Sequence, residues 1–385
     1  MRITLSILIA NLSGFSCKQK PTQNDETSAN SNTYVKHVLQ VEGQSRFTFP
    51  LNEISTIWWS LGNPSKTGPL LTAFSDIEFK FISGTLDESP KQERPKFNFA
   101  SPLTLNLKPL NLIDNTTTGA APEPKPKKPE GPQVEAAAQD AKGNWIVQSE
   151  ASGKLFLIPN DNGTAIKEVT LDVTSFAELK ELWEKDSNSR GEGMLLLQNG
   201  HVVILKEKKP SLLIEFGPKD ATAQGWNPDL FLKKDSVFPQ EDKLKSTPET
   251  LVALHYWAFD ESVEKSMSDM SEIAIGPDGY VYILSEASKV IARIHHTLPV
   301  QQEKGKGLNK TKVSFQYLWQ LPVELNQKEQ KAEGLSFDAN GNPWIGLDLE
   351  NQNAPNVFKL QKLDPCKSWM IGPNEETPKN CKTTY

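Results

Sequence analysis
Four stretches of the chain share one layout. They are VEAAAQDAKGNWIVQSEASGKLFLI from Val134, GEGMLLLQNGHVVILKEKKPSLLIEF from Gly191, MSEIAIGPDGYVYILSEASKVIARI from Met270 and AEGLSFDANGNPWIGLDLENQNAPNVFKL from Ala332. Each is an apolar run, a turn on Gly143, Gly200, Gly279 or Gly341, a second run, a polar corner and a third run. Asn-Gly or Asp-Gly precedes three of these second runs, a strong hairpin signal. A degenerate fifth copy, EISTIWWSLGNPSKTGPLLTAFSDIEFKFI, starts at Glu53. Units that cannot bury both faces alone must stack on one another, so the repeat constrains the fold more than any other feature.

A fourth strand reads after most units: LTLNLKPLNL from Leu103, IKEVTLDV from Ile166, LVALHYWAF from Leu251 and VSFQYLWQL from Val313. The last unit lacks one downstream, and YVKHVLQV from Tyr34 is expected to supply it, closing a ring. The predicted fold is therefore all-β: a β-propeller of four-stranded antiparallel blades, five visible, with a sixth as the alternative within Gly217 to Glu249. SFAELKELWEKD from Ser175 has the apolar spacing of a helix. Two stretches interrupt the repeat, one ending in APEPKPKKPEGP at Pro132 and one over 217–249, and both are expected as loops on one rim.

The N-terminus carries a different signal. Met1-Arg2 precedes the apolar ITLSILIANL, then LSGFSC ends at Cys17 and a polar, tether-like KQKPTQNDETSANSNT follows. This resembles a bacterial lipoprotein signal with Cys17 as the lipidated first residue; an ordinary cleaved signal is the alternative. The expected organisation is a signal over 1–16, a tether over 17–33, the propeller over 34–365 and a tail over 366–385. Cys366 and Cys381 then form an even remainder, expected as a disulfide in an oxidising compartment or else as two free thiols. The expected location is the periplasm or the outer cell surface, with a lipid anchor as the contact to the membrane. A net charge of -6 leaves no basic footprint for nucleic acid.

Aligning the units on the turn glycine places Glu135, Glu192 and Glu333 eight residues before it and Glu150, Glu207, Glu286 and Asp348 seven after it. In the first unit Asp76 takes the second position, and Ser55 and Ser271 replace the first acid in two units. The start of strand one and the end of strand two meet at the open end of a hairpin, so these acids share one rim. Crowded carboxylates repel, and Ca²⁺ with its flexible set of oxygen ligands is the cofactor such a rim would take, Glu135, Glu192 and Glu333 being the first candidates. The alternative is that each Glu merely fixes the ring by accepting backbone hydrogen bonds. Arg190, Lys206, Lys208 and Lys209 form a candidate anion site beside Glu192 and Glu207, or a solvated corner. No nucleophile motif, P-loop or zinc motif is present.

The units EGMLLLQNGHVVILKEKKPSLLIEF, VEAAAQDAKGNWIVQSEASGKLFLI and EISTIW…LLTAFSD resemble two bacterial propeller groups, the SdiA-regulated family and the esterase-like phytase domains, over roughly Glu53 to Leu363. The resemblance implies Ca²⁺ binding or phosphoester hydrolysis at the recurring acids, while Ser55 and Ser271 depart from a multi-metal centre. Three readings follow: a lipid-anchored propeller binding a small-molecule or protein ligand on a Ca²⁺-organised acidic rim, a metal-dependent hydrolase of phosphoesters or lactones, or a purely structural envelope protein.

Overall fold
In the computed structural model, residues 37–60, 69–89, 94–107, 133–159, 163–185, 189–208, 210–233, 236–238, 250–300, 312–351, 353–379 and 381 are described. The signal, the tether, Cys17 and Lys209 lie outside them.

β1 (Val41–Phe47) opens the fold. Blade 1 follows: β2 (Ile54–Ser60), β3 (Leu70–Ser75), β4 (Lys80–Asp87), β5 (Lys96–Phe99) and β6 (Leu103–Thr104). Blade 2 is β7 (Val134–Gln139), β8 (Trp145–Ser149), β9 (Lys154–Ile158) and β10 (Lys167–Asp172). Blade 3 is β11 (Gly193–Leu196), β12 (Val202–Lys206), β13 (Leu212–Gly217) and β14 (Thr250–Ala258). Blade 4 is β15 (Met270–Ile275), β16 (Val281–Ser285), β17 (Val290–Ile294) and β18 (Phe315–Gln320). Blade 5 is β19 (Lys331–Phe337), β20 (Pro343–Asp348) and β21 (Val357–Leu360), completed by β1. Within each blade the neighbouring strands are antiparallel, and the first strands adjoin one another in the closed order β2, β7, β11, β15, β19 and back to β2. This is a five-bladed propeller with those strands innermost.

The closing strand differs from the predicted one. YVKHVLQV was expected to pair, but the ladder runs over Val41–Phe47, with Val41 opposite Leu360 and Phe47 opposite Val357. The preceding residues instead lie along blade 4, where Val38 bridges Gln320 and Leu39 is buried in the core between blades 4 and 5. Two further strands were not foreseen. The outer edge of blade 1 is split into β5 and β6 around Pro102, which has no N–H to give a ladder. In the tail, β22 (Met370–Ile371) adds a fifth strand to blade 4. Cys366 and Cys381 are joined as a disulfide, with Cα atoms 5.1 Å apart, closing the loop that carries this strand.

Second strands are buried on both sides: all five residues of β8, β12 and β16 are inaccessible. The reason is that each blade is sandwiched between two others. Apolar layers fill the five interfaces, as between blades 5 and 1, where Trp344 stacks on Phe47 and Trp59. Blades 2 and 3 are further joined along their outer edges, β10 pairing with β14 in parallel, which hides two sheet edges. The predicted helix is α1 (Ala177–Lys185), between blades 2 and 3, with Leu179 and Trp183 buried. A second helix, α2 (Glu261–Ser266), is capped by Asp260, whose carboxylate accepts from Val263 N–H.

The described part of the long 217–249 insertion holds no strand, so it contributes no sixth blade. It runs across the turn end of the ring: Leu197 bridges Phe231, Phe238 N–H donates to Asp140 and Pro228 lies against Gly279. That end is opposite the acids. The other insertion lies outside the described residues except for Gln133, which donates to the Asp76 carbonyl at the acid end.

Candidate acidic rim
A shared backbone irregularity aims the first set of acids. In blades 1, 2, 4 and 5 the pairing of strands one and two shifts register around Ser55, Glu135, Ser271 and Glu333. In blade 3 both Glu192 and Gly193 face Leu205, so the same extra residue is present. Such a bulge re-aims one side chain and bends the strand. Since these strands line the channel, Ser55, Glu135, Glu192, Ser271 and Glu333 form a ring at its mouth. The two serines bind the ring together: Ser55 donates to the Val134 carbonyl, and Ser271 to that of Ala332 at 2.7 Å, each just before the next blade's Glu.

The second set stands around the first. The amide N–H groups of Asp76, Glu150 and Glu286 donate to the carbonyls of Glu53, Gln133 and Asp269, and those three residues hold left-handed backbone at φ of 46°, 42° and 49°. Non-glycine residues adopt that region only when surrounding bonds enforce it. The GEG of Gly191-Glu192-Gly193 has a packing reason. A Cβ on Gly191 would collide with the Gln148 side chain, and one on Gly193 would come within 2.5 Å of Ile273 N. Blades 2 and 4 can approach Glu192 this closely only because glycine flanks it.

The acids perturb one another. Burial, then the charges of Asp76, Glu150, Glu333 and Asp348, push the Glu135 carboxyl well above its ordinary range. Burial, then Glu135, Glu150, Glu207 and Glu333, do the same to Glu192. Glu333 is pushed up to about 8, by burial first and then by Asp348 and Glu286. Asp76 reaches about 7 through burial and the charges of Glu53 and Asp348. Glu150 reaches about 7 through burial, and its carboxyl is hydrogen-bonded to that of Glu192. Two buried carboxyls that interact in this way do not ionise independently. The acids aligned in the sequence thus lie at one end of the ring within electrostatic reach of one another, although among the described residues no three of them are gathered closely enough to hold one ion.

One residue below the mouth lies Glu272. Its carboxylate accepts from Thr56 Oγ1 of blade 1 at 2.6 Å and approaches Gly193 of blade 3, so it reaches across the channel from blade 4. Burial pushes its carboxyl well above the usual range, against the pull of those hydrogen bonds. Its sequence signal was only an acid beside Ser271.

Among the described residues, the basic candidates Arg190, Lys206 and Lys208 each have partners within the protein. Arg190 donates to the carbonyls of Trp183 and Ala151, and buried Lys206 donates to Ser189 Oγ and the Lys208 carbonyl. Lys208 pairs with Glu207 at 3.3 Å. These groups serve the α1 connection and the rim acids. His201, at the turn end, is bonded through Nδ1 to buried Glu215 at 2.7 Å, and Glu215 also accepts from Gln224 and Gly225 N–H, which holds the insertion in place.

No family model matches the chain, and a search of curated proteins gives no significant match. Among solved structures the chain is similar to a streptogramin B lyase (12% identity, TM-score 0.38, covering 84% of this chain and 97% of that one). It is also similar to the Myxococcus xanthus glutaminyl cyclase (10%, TM-score 0.41, 85% and 97%). A third is a putative 6-phosphogluconolactonase from Bacteroides uniformis (13%, TM-score 0.36, 82% and 87%). At these values no chemistry transfers from them, and the propeller stands on its own strand order.

Proposed function
We propose that this chain is an exported, lipid-anchored envelope propeller that binds a cationic ligand or partner at its acidic rim, with Ca²⁺ as the metal the rim would take. One observation carries the reading. Carboxyl groups from several blades converge on the channel mouth, and two of them, Asp76 Oδ1 and Glu150 Oε1, are buried without a hydrogen-bond partner. A buried orphan oxygen costs free energy, about 1–3 kcal/mol, that a bound cation relieves. The donor set is all oxygen, as a hard cation requires. Among the described residues no three acidic, imidazole or thiol groups are gathered about one point, so Glu135, Glu192 and Glu333 would have to draw together on an ion. The export and anchor part of the reading is supported by the sequence up to Cys17, and the likeness of the repeat units to the SdiA-regulated and esterase-like phytase groups is in keeping with a Ca²⁺-dependent rim. Arg190, Lys206 and Lys208 are engaged within the protein, which favours a cationic ligand at the rim over an anionic one.

Calorimetric titration of chelator-treated protein with Ca²⁺ tests the metal. Saturable binding and a melting temperature that rises with Ca²⁺ are expected, because a ligand that binds only the folded form stabilises it by mass action. Binding should weaken in Glu135→Gln, Glu192→Gln and Glu333→Gln. An unmoved melting temperature, with each of those changes lowering stability whether or not Ca²⁺ is present, would mean that the carboxylates only hold the ring together.

A further inference from the structure
The outer rim acids are not equivalent. In blades 3, 4 and 5 each has an ammonium group of the protein on it: Lys208 on Glu207 at 3.3 Å, Lys289 on Glu286 at 3.0 Å, and Lys331 on Asp348. In blades 1 and 2, Asp76 and Glu150 have none at that range among the described residues, and each keeps a buried oxygen with no partner there; Glu150 is only 4% exposed. Lys331 and Lys208 act on Asp76 and Glu150 from farther off, their ammonium groups being on Asp348 and Glu207.

The repeat itself shows what is missing. Blades 2 and 4 share Ser-Glu-Ala-Ser at 149–152 and 285–288. The next residue is Lys289 in blade 4, at φ 53°, and Gly153 in blade 2, at φ 63°. Both hold left-handed backbone, but in blade 2 the Arg190 and Trp183 side chains pack against Gly153, and the Arg190 guanidinium donates to the Ala151 carbonyl while no salt bridge joins it to Glu150. Following Asp76 in the chain, Ile77 and Phe79 are 43% and 38% exposed.

We propose that the arc Asp76–Glu135–Glu150–Glu192 binds an organic polycation, a protonated alkyl diamine or polyamine, whose ammonium groups donate to the unpartnered oxygens of Asp76 and Glu150 as lysines do to the outer acids of the other blades. Its methylene chain would lie along Ile77 and Phe79. An ammonium needs only one or two acceptors each and three donors suffice to bridge them, which suits spread carboxylates better than a bare metal ion does. The inference rests on the rim being a cation-binding site, and it names the ligand.

The test is calorimetry on chelator-treated protein with spermidine, 1,4-diaminobutane and butylamine, then with Ca²⁺ alone. Both polyvalent amines are expected to bind at least about tenfold more tightly than butylamine, one further charged hydrogen bond being worth ~1.5–3 kcal/mol. Asp76→Asn and Glu150→Gln should each weaken spermidine about tenfold or more, while Glu286→Gln, already lysine-paired, should change it less than about twofold. Melting curves establish that each variant is folded, and Asp76→Asn and Glu150→Gln act as independent checks on one another. Ca²⁺ binding without any preference for the diamines over butylamine overturns the polyamine assignment and leaves the cation-binding rim. Spermidine binding that survives both Asp76→Asn and Glu150→Gln overturns it as well. No binding of any cation overturns both readings.

Discussion

Replacing Glu150 with Gln should stabilise this protein above neutral pH and do nothing in acid. The carboxyl is 4% exposed, one oxygen has no hydrogen-bond partner, and its proton affinity is raised from 4.5 to about 7, first by burial. The folded form therefore holds a proton that the unfolded chain releases, so the folded state binds more protons between the two values. Stability must fall as pH rises from about 4.5 towards 7 and stay at the lower level beyond. Moving the carboxyl from 4.5 to about 7 corresponds to ~3 kcal/mol as a ceiling. Glu192 and Glu150 do not ionise independently, so about 1–2 kcal/mol is the expected gain for Glu150→Gln at pH 8. At pH 4, where the group is protonated in both states, the gain should vanish. Denaturant unfolding of wild type and Glu150→Gln at the two pH values measures it. A loss of stability of similar size at both would show that the carboxylate is a structural acceptor, and the argument from mutual repulsion would be wrong.

Other consequences follow from the packing and the termini. Trp344→Ala removes a fully buried indole stacked on Phe47 and Trp59, and should cost ~3–5 kcal/mol in unfolding free energy. Reducing Cys366–Cys381, which spans 15 residues, should cost up to ~3 kcal/mol. Its effect should be confined to faster amide exchange at Trp369 to Gly372, whose N–H groups bond to blade 4, with blades 1 to 3 unchanged. On the proposal of a lipid anchor, Cys17→Ala should move the protein from the membrane fraction to the soluble one; intact mass that shows no acyl chain on Cys17 in wild type would refute it.

Much of the architecture is local and periodic, and so was legible in the residues alone. The turn glycines set the hairpins, and alternating apolar runs set the strands. Counting from Gly143, Gly200, Gly279 and Gly341 placed Glu135 beside Glu150 and Glu192 beside Glu207 before any contact was known. Pairing of distant segments is another matter. Whether residues 34–41 or Val41–Phe47 close the ring depends on where Leu39 finds a pocket between blades 4 and 5, which no local pattern encodes. The split of blade 1's outer strand and the docking of Met370–Ile371 likewise depend on which edges are left open. The same holds at the rim. The sequence determined that acids recur at two positions, because a repeat conserves its own geometry. Only the closed ring decided which of them perturb one another, that Glu272 crosses the channel to Thr56, and that among the described residues three outer acids meet lysines while Asp76 and Glu150 do not. Those outcomes depend on distances between different blades, and electrostatic energy is set by distance and burial rather than by position along the chain.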